Sequence, residues 1–166
     1  MFQKAKRTQS KLRLALIGPS GSGKTYSALL IGQGLGGRIA VIDTENGSAS
    51  LYSHLTGYDV CELQVPFTAE KYVNAIHEAE KNEYQVLIID SLSHAWAGQG
   101  GLLDQHDKIT KASRSQNSFM AWREITPLHN KLVDSILQSS CHVIITLRTK
   151  TSYNVQERDG KSVPVK

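Results

Sequence analysis

Gly18-Pro19-Ser20-Gly21-Ser22-Gly23-Lys24-Thr25 governs how the rest of this 166-residue chain is understood. Directly before it, residues 12–17 (LRLALI) form an apolar run of strand length. Directly after it, residues 24–35 carry a helix that Gly36 and Gly37 stop. A glycine-rich turn between a buried strand and a helix suits one chemistry above others. The glycines let successive backbone N–H groups converge, and the unpaired donors and positive dipole end of the helix point the same way, so the turn cradles phosphate. The spacing Gly-x4-Gly-Lys-Thr adds Lys24, a point charge for the β- and γ-phosphates, and Thr25, a hydroxyl for Mg²⁺. Gly18, Pro19, Ser20, Gly21, Ser22, Gly23, Lys24, Thr25 and Tyr26 are the expected cofactor-binding set. The competing possibility, a glycine-rich turn that matches by chance, leaves the exact spacing and the flanking elements unexplained.

Further along the chain, residues 39–43 (IAVID), 60–65 (VCELQV), 85–90 (QVLIID) and 142–147 (HVIITL) read as further strands, the second of them weak. Thr68 is placed to cap a helix running to about Asn82, with Tyr72, Val73, Ile76 and Ala79 on one face. Thr126-Pro127 reads as the start of a helix to about Ser139, after a separate helical turn at 119–125. Residues 97–118 are polar, rich in Gly and Ser and without a clear period, so a long loop is expected there. The tail reads as a hairpin around Asp159-Gly160. Continuous apolar strands alternating with helices predict an α/β fold with a mainly parallel sheet covered on both faces.

A mass of 18.3 kDa with 40% hydrophobic and 20% charged residues suits one globular domain and excludes disordered or collagenous chains. No apolar run approaches the roughly 20 residues of a membrane span, and the basic start lacks a signal peptide's apolar stretch, so a cytoplasmic protein away from membranes is expected. Cys61 and Cys141 lie far apart in apolar surroundings and read as buried free thiols. The six histidines show no zinc-binding spacing. Residues 1–13 hold five basic residues and no acid, +5 against a chain total of +4, which leaves the body at −1. Residues 1–11 are therefore a basic arm, suited to a polyanion or equally to a solubilising tail, and 12–166 the domain.

Ligands of an open α/β sheet sit beyond the carboxyl ends of its strands. Two acidic groups lie at such ends, Asp43-Thr44-Glu45 and Asp90-Ser91. Asp90 closes four apolar residues, as the carboxylate that holds Mg²⁺ and its waters should. Many P-loop ATPases place a glutamate directly after this aspartate; Ser91 stands there instead, so Glu45 is the expected water-activating base.

In these features, IDTENG at 42–47, IIDS at 88–91 and VIITLR at 143–148, the chain resembles the RecA-type recombinase core over about residues 12–150. The resemblance implies a RecA-like P-loop fold binding ATP and Mg²⁺, Glu45 as catalytic base, Asp90 as metal carboxylate, and Arg148 where the family usually has a γ-phosphate-sensing glutamine. It is closest to compact phage-type members that act in single-strand annealing and recombination. It implies single-stranded DNA as partner, a ring or filament of identical subunits, and DNA-contacting loops near 97–118 and 149–161. Each loop carries a net charge of only +1: Lys108, Lys111 and Arg114 against Asp104 and Asp107 in the first, Lys150, Arg158 and Lys161 against Glu157 and Asp159 in the second. Trp122, Phe119 and Tyr153 could stack on bases; core packing is the favoured reading of the first two. Such proteins generally continue past a hairpin like 151–165, which implies a short member or a truncated chain. Two other readings stay open. One is a small P-loop nucleotide or nucleoside kinase with Asp43 as base or metal ligand, and the other a nucleotide-dependent loader with little turnover.

Overall fold

The computed structural model describes residues 4, 10–113 and 118–149, and the backbone of two further strands at 154–158 and 161–165. The apolar runs become the strands of one parallel sheet: β1 (Arg13–Gly18), β2 (Ile39–Asp43), β3 (Asp59–Glu62), β4 (Val86–Asp90) and β5 (His142–Arg148), in the order β1-β5-β4-β2-β3. The central strand β4 shows why a continuous apolar run is required. Val86 and Ile88 face one way, Leu87 and Ile89 the other, and all four are fully buried.

Handedness then places the helices. The step from β1 to β2 crosses the sheet in one direction and puts α1 (Lys24–Leu35) on one face, where Ala28 and Leu29 pack on Val41, Ile88 and Ile144. The steps from β3 to β4 and from β4 to β5 run back the other way. Right-handed crossovers therefore send α2 (Ala69–Lys81) and α5 (Ser118–Gln138) to the opposite face. There Tyr72, Val73, Ile76, Ile125, Leu132 and Ile136 close over Ile42, Leu87, Ile89 and Val143. A 3-10 turn, Ala49–Tyr52, follows β2 on the α1 side. Two further helices, α3 (Ser93–Ala97) and α4 (Leu102–Ala112), precede α5.

The expected P-loop core is present, with helices on both faces of a parallel sheet. The Thr68 cap is present as well: its hydroxyl accepts from the Lys71 N–H at 3.4 Å. The expected tail hairpin forms as β6 (Asn154–Arg158) and β7 (Lys161–Val165), antiparallel, while its turn residues lie outside the described ones.

Four expectations are corrected. Residues 97–118 are not one loop, since most of them form α4 and the start of α5. Helix α5 does not begin at Thr126 but runs through Pro127. The ring lies on the exposed side, and the carbonyl it leaves unpaired belongs to exposed Arg123, where water can serve it. Cys61 is exposed, as is every residue of the edge strand β3; Cys141 is buried. Phe119 is 85% exposed rather than core, while half-buried Trp122 stacks on Trp96 with centroids 6.1 Å apart. Most of the basic arm, including Lys6 and Arg7, lies outside the described residues, as do Arg114, Lys150 and Tyr153. Among the described residues no helix is long and apolar enough to cross a membrane.

Candidate nucleotide-binding site

Parallel register brings the strand ends level. Gly18 lies beside Arg148, and Asp43 beside Asp90. The loop from Gly18 to Thr25 therefore opens onto the carboxyl ends of four strands. Gly23 caps α1 in a left-handed conformation, φ +78°, which a side chain would strain. A Cβ on Gly18 would meet the Ser22 hydroxyl at 2.7 Å and push it aside.

The pocket beside this loop has a volume of about 210 Å³. Lys24, Thr25, Glu45, Asp90 and Arg148 all line it, so the expected catalytic and metal residues converge. Lys24 Nζ donates to the Pro19 carbonyl at 2.7 Å, so its charge sits on the loop's own backbone. Ser20, Gly21 and Gly23 line the pocket too. Tyr26 does not; its ring meets Tyr52 edge-on at 6.0 Å, and Tyr52 forms part of the wall.

Asp90 is buried, with two hydroxyl donors. Thr25 Oγ1 donates to Oδ2 and Thr146 Oγ1 to Oδ1, each at 2.5 Å. Burial raises the Asp90 pKa, the two hydroxyls oppose the rise, and the charges of Glu45 and Asp43 add to it. An alcohol and a carboxylate oxygen side by side on the pocket wall are the hard donors that Mg²⁺ takes, and the excess negative charge around Asp90 is the kind a cation would relieve.

Glu45 and Arg148 form a two-pronged ion pair. Arg148 Nε donates to Oε1 at 2.7 Å, and Nη2 donates to Oε2. Burial pushes the Glu45 carboxyl up, but the hydrogen bond and charge of Arg148 outweigh it and leave the pKa below the usual carboxylate range. Asp43, 1% exposed, has a different task. Its two oxygens accept the N–H groups of Glu45 at 2.6 Å and Ala49 at 2.9 Å, shaping the turn that carries Glu45, and it does not line the pocket.

Sequence reading misses Thr146, His94 and two residues of the pocket wall, Ser48 and Tyr52. Thr146 has a signal, a lone hydroxyl in the buried run HVIITL that must find a partner. His94 has none; its Nδ1 lies 2.8 Å from Thr44 Oγ1, and its ring stacks on Phe67. Of the cations expected to meet DNA, Lys108 is on α4 and pairs with Asp104 at 2.9 Å.

A glycine cradle between β1 and α1, with a buried carboxylate closing a neighbouring parallel strand, defines a P-loop nucleotide-binding core. Comparison with known families agrees: residues 10–165 match AAA_24, described as an AAA domain, and the chain belongs to that family of P-loop ATPases. No curated protein matches the chain.

Proposed function

We propose that the protein binds ATP with Mg²⁺, hydrolyses it, and couples this turnover to single-stranded DNA in recombination or strand annealing, as an oligomer of identical subunits of the phage RecA-like type. The observation that carries the hydrolytic part is the meeting of Lys24, the Thr25–Asp90 pair, Glu45 and Arg148 in one pocket. The loop amides and Lys24 hold the phosphates, Lys24 exchanging the Pro19 carbonyl for a phosphate oxygen. Thr25 and Asp90 would hold Mg²⁺, which would supply charge neutralisation at the phosphates. Arg148 turns toward the terminal phosphate and releases Glu45. Glu45 then orients a water and takes its proton as the water oxygen bonds to the γ-phosphorus and the bond to the ADP oxygen breaks. Tyr52, met edge-on by the Tyr26 ring, offers an aromatic wall beyond the phosphates.

The DNA and recombination part rests on the RecA-like order of the three strand-end motifs and on the basic arm. The kinase reading loses its residue, since Asp43 is committed to the backbone of its own turn. Phosphate release from ATP, with and without single-stranded DNA and across salt, tests the whole reading. Release should need Mg²⁺, rise with DNA, and lose that stimulation as salt increases. No release, or transfer of the γ-phosphate to a nucleoside, would reject it.

A further inference from the structure

We propose that His94 is a positioning residue for hydrolysis, bracing the two members of the Glu45–Arg148 pair against each other; the inference rests on the hydrolytic reading above.

The brace follows from hydrogen-bond arithmetic at Thr44, which is buried next to Glu45. Three hydrogen bonds meet at Thr44 Oγ1: the Ser91 N–H at 3.0 Å, the Ser91 carbonyl at 3.1 Å and His94 Nδ1 at 2.8 Å. A hydroxyl offers one hydrogen and two lone pairs. The Ser91 N–H can only donate and takes one lone pair. The Ser91 carbonyl can only accept, and the Tyr72 hydroxyl also donates to it, at 3.2 Å. Thr44 Oγ1 therefore meets His94 Nδ1 with a hydrogen or a lone pair, and this contact, the shortest of the three, holds the ring in either neutral tautomer. Burial and then the charge of Arg148 lower the His94 pKa, against smaller opposing effects of Glu45 and Asp90, which agrees with a neutral ring. Phe67 stacks on that ring with centroids 4.9 Å apart and planes 19° apart, and fixes its orientation.

The residue before His94 supplies the other half of the brace. Ser93 Oγ accepts the backbone N–H of Arg148 at 2.8 Å. Consecutive residues of α3 thus hold the two sides of the ion pair, Ser93 gripping Arg148 itself and His94 gripping Thr44, the neighbour of Glu45. With the direct Glu45–Arg148 contact the links close into a ring: Glu45, Thr44, His94, Ser93, Arg148. When the Arg148 side chain turns to phosphate the direct contact opens, but α3 still holds the Arg148 backbone and Thr44, and His94 is the link that joins α3 to Thr44.

The test compares wild type, His94→Ala and His94→Asn, the last carrying an amide that can donate or accept near the place of Nδ1. The readouts are kcat, KM and the affinity for a fluorescent ATP analogue, with thermal melting as a check on folding. The alanine variant should lose about tenfold or more in kcat while nucleotide affinity stays within about twofold, and asparagine should recover most of the loss. Wild-type kcat in His94→Ala overturns the proposal. So does a joint loss of kcat and affinity that asparagine does not restore, which would mark a purely structural histidine. If His94→Ala fails to melt cooperatively, Thr44→Ser and Thr44→Val put the question from the other end: serine should keep kcat and valine lose it, and equal rates overturn the brace. Absence of ATP hydrolysis in the wild type would instead bring down the hydrolytic reading itself, together with this inference.

Discussion

Lys24 and Arg148 each find a partner on the protein, Lys24 on the Pro19 carbonyl and Arg148 on Glu45. A phosphate chain must compete with both contacts, and for Lys24 the exchange is favourable because a phosphate is a stronger partner than a neutral carbonyl. Lys24→Ala should weaken ATP binding roughly 10- to 100-fold, the scale of a charged hydrogen bond, as read by titration; undiminished affinity would contradict the loop's role. Arg148 also sets the protonation of Glu45, the proposed base. Its loss in Arg148→Ala leaves burial unopposed by the arginine at Glu45, so the carboxyl pKa rises. A base works only when ionised, so the acid limb of the kcat/KM–pH profile, which reports the nucleotide-free enzyme, should move to higher pH in the variant. An unmoved limb would mean that Glu45 is not the titrating base. Stability follows the same sign. The folded pKa of Glu45 is depressed, so the contribution of the pair is present above the unfolded carboxylate pKa and is lost as pH falls through the folded one.

Among the elements, those whose local chemistry agrees with their place are legible in the sequence. The strand, glycine turn and helix from Arg13 to Leu35 carry start, turn and stop signals in consecutive letters. Helix α2 carries a cap and an apolar stripe; Thr68→Ala should cost about 1 kcal/mol, measured by denaturant unfolding, with a cost near zero contradicting the cap. Helix α4 is hidden because the middle of its buried stripe, Leu102, His106 and Ile109, is a histidine. The His106 ring lies against Trp122 at 4.3 Å and fills an apolar place with a polar letter. In α5 the Thr-Pro pair imitates a helix start; only burial of Ala121 and Ile125 before it, continuous with Leu132 and Ile136 after it, shows one helix.

Across the complete fold, the site is made by topology. Thr25 and Asp90 are 65 residues apart in the chain and Glu45 and Arg148 are 103 apart, and they meet because β1, β5, β4 and β2 end at one edge of the sheet. The motif letters locate Lys24, Thr25 and Asp90, the strand-end acids with Ser91 after Asp90 point to Glu45, and the RecA resemblance singles out Arg148. No local pattern tells that the last two grip each other, or that α3 ties both together, because those contacts exist only once the sheet has assembled. On the proposed reading, this assembled edge hydrolyses ATP with Glu45 as the base. ATP affinity and phosphate release, measured for the wild type beside Glu45→Gln, probe that role without an intermediary. The variant should bind ATP at least as tightly, since Arg148 is freed for phosphate, and release phosphate about 10²- to 10⁴-fold more slowly. Release by Glu45→Gln at the wild-type rate would contradict Glu45 as the base.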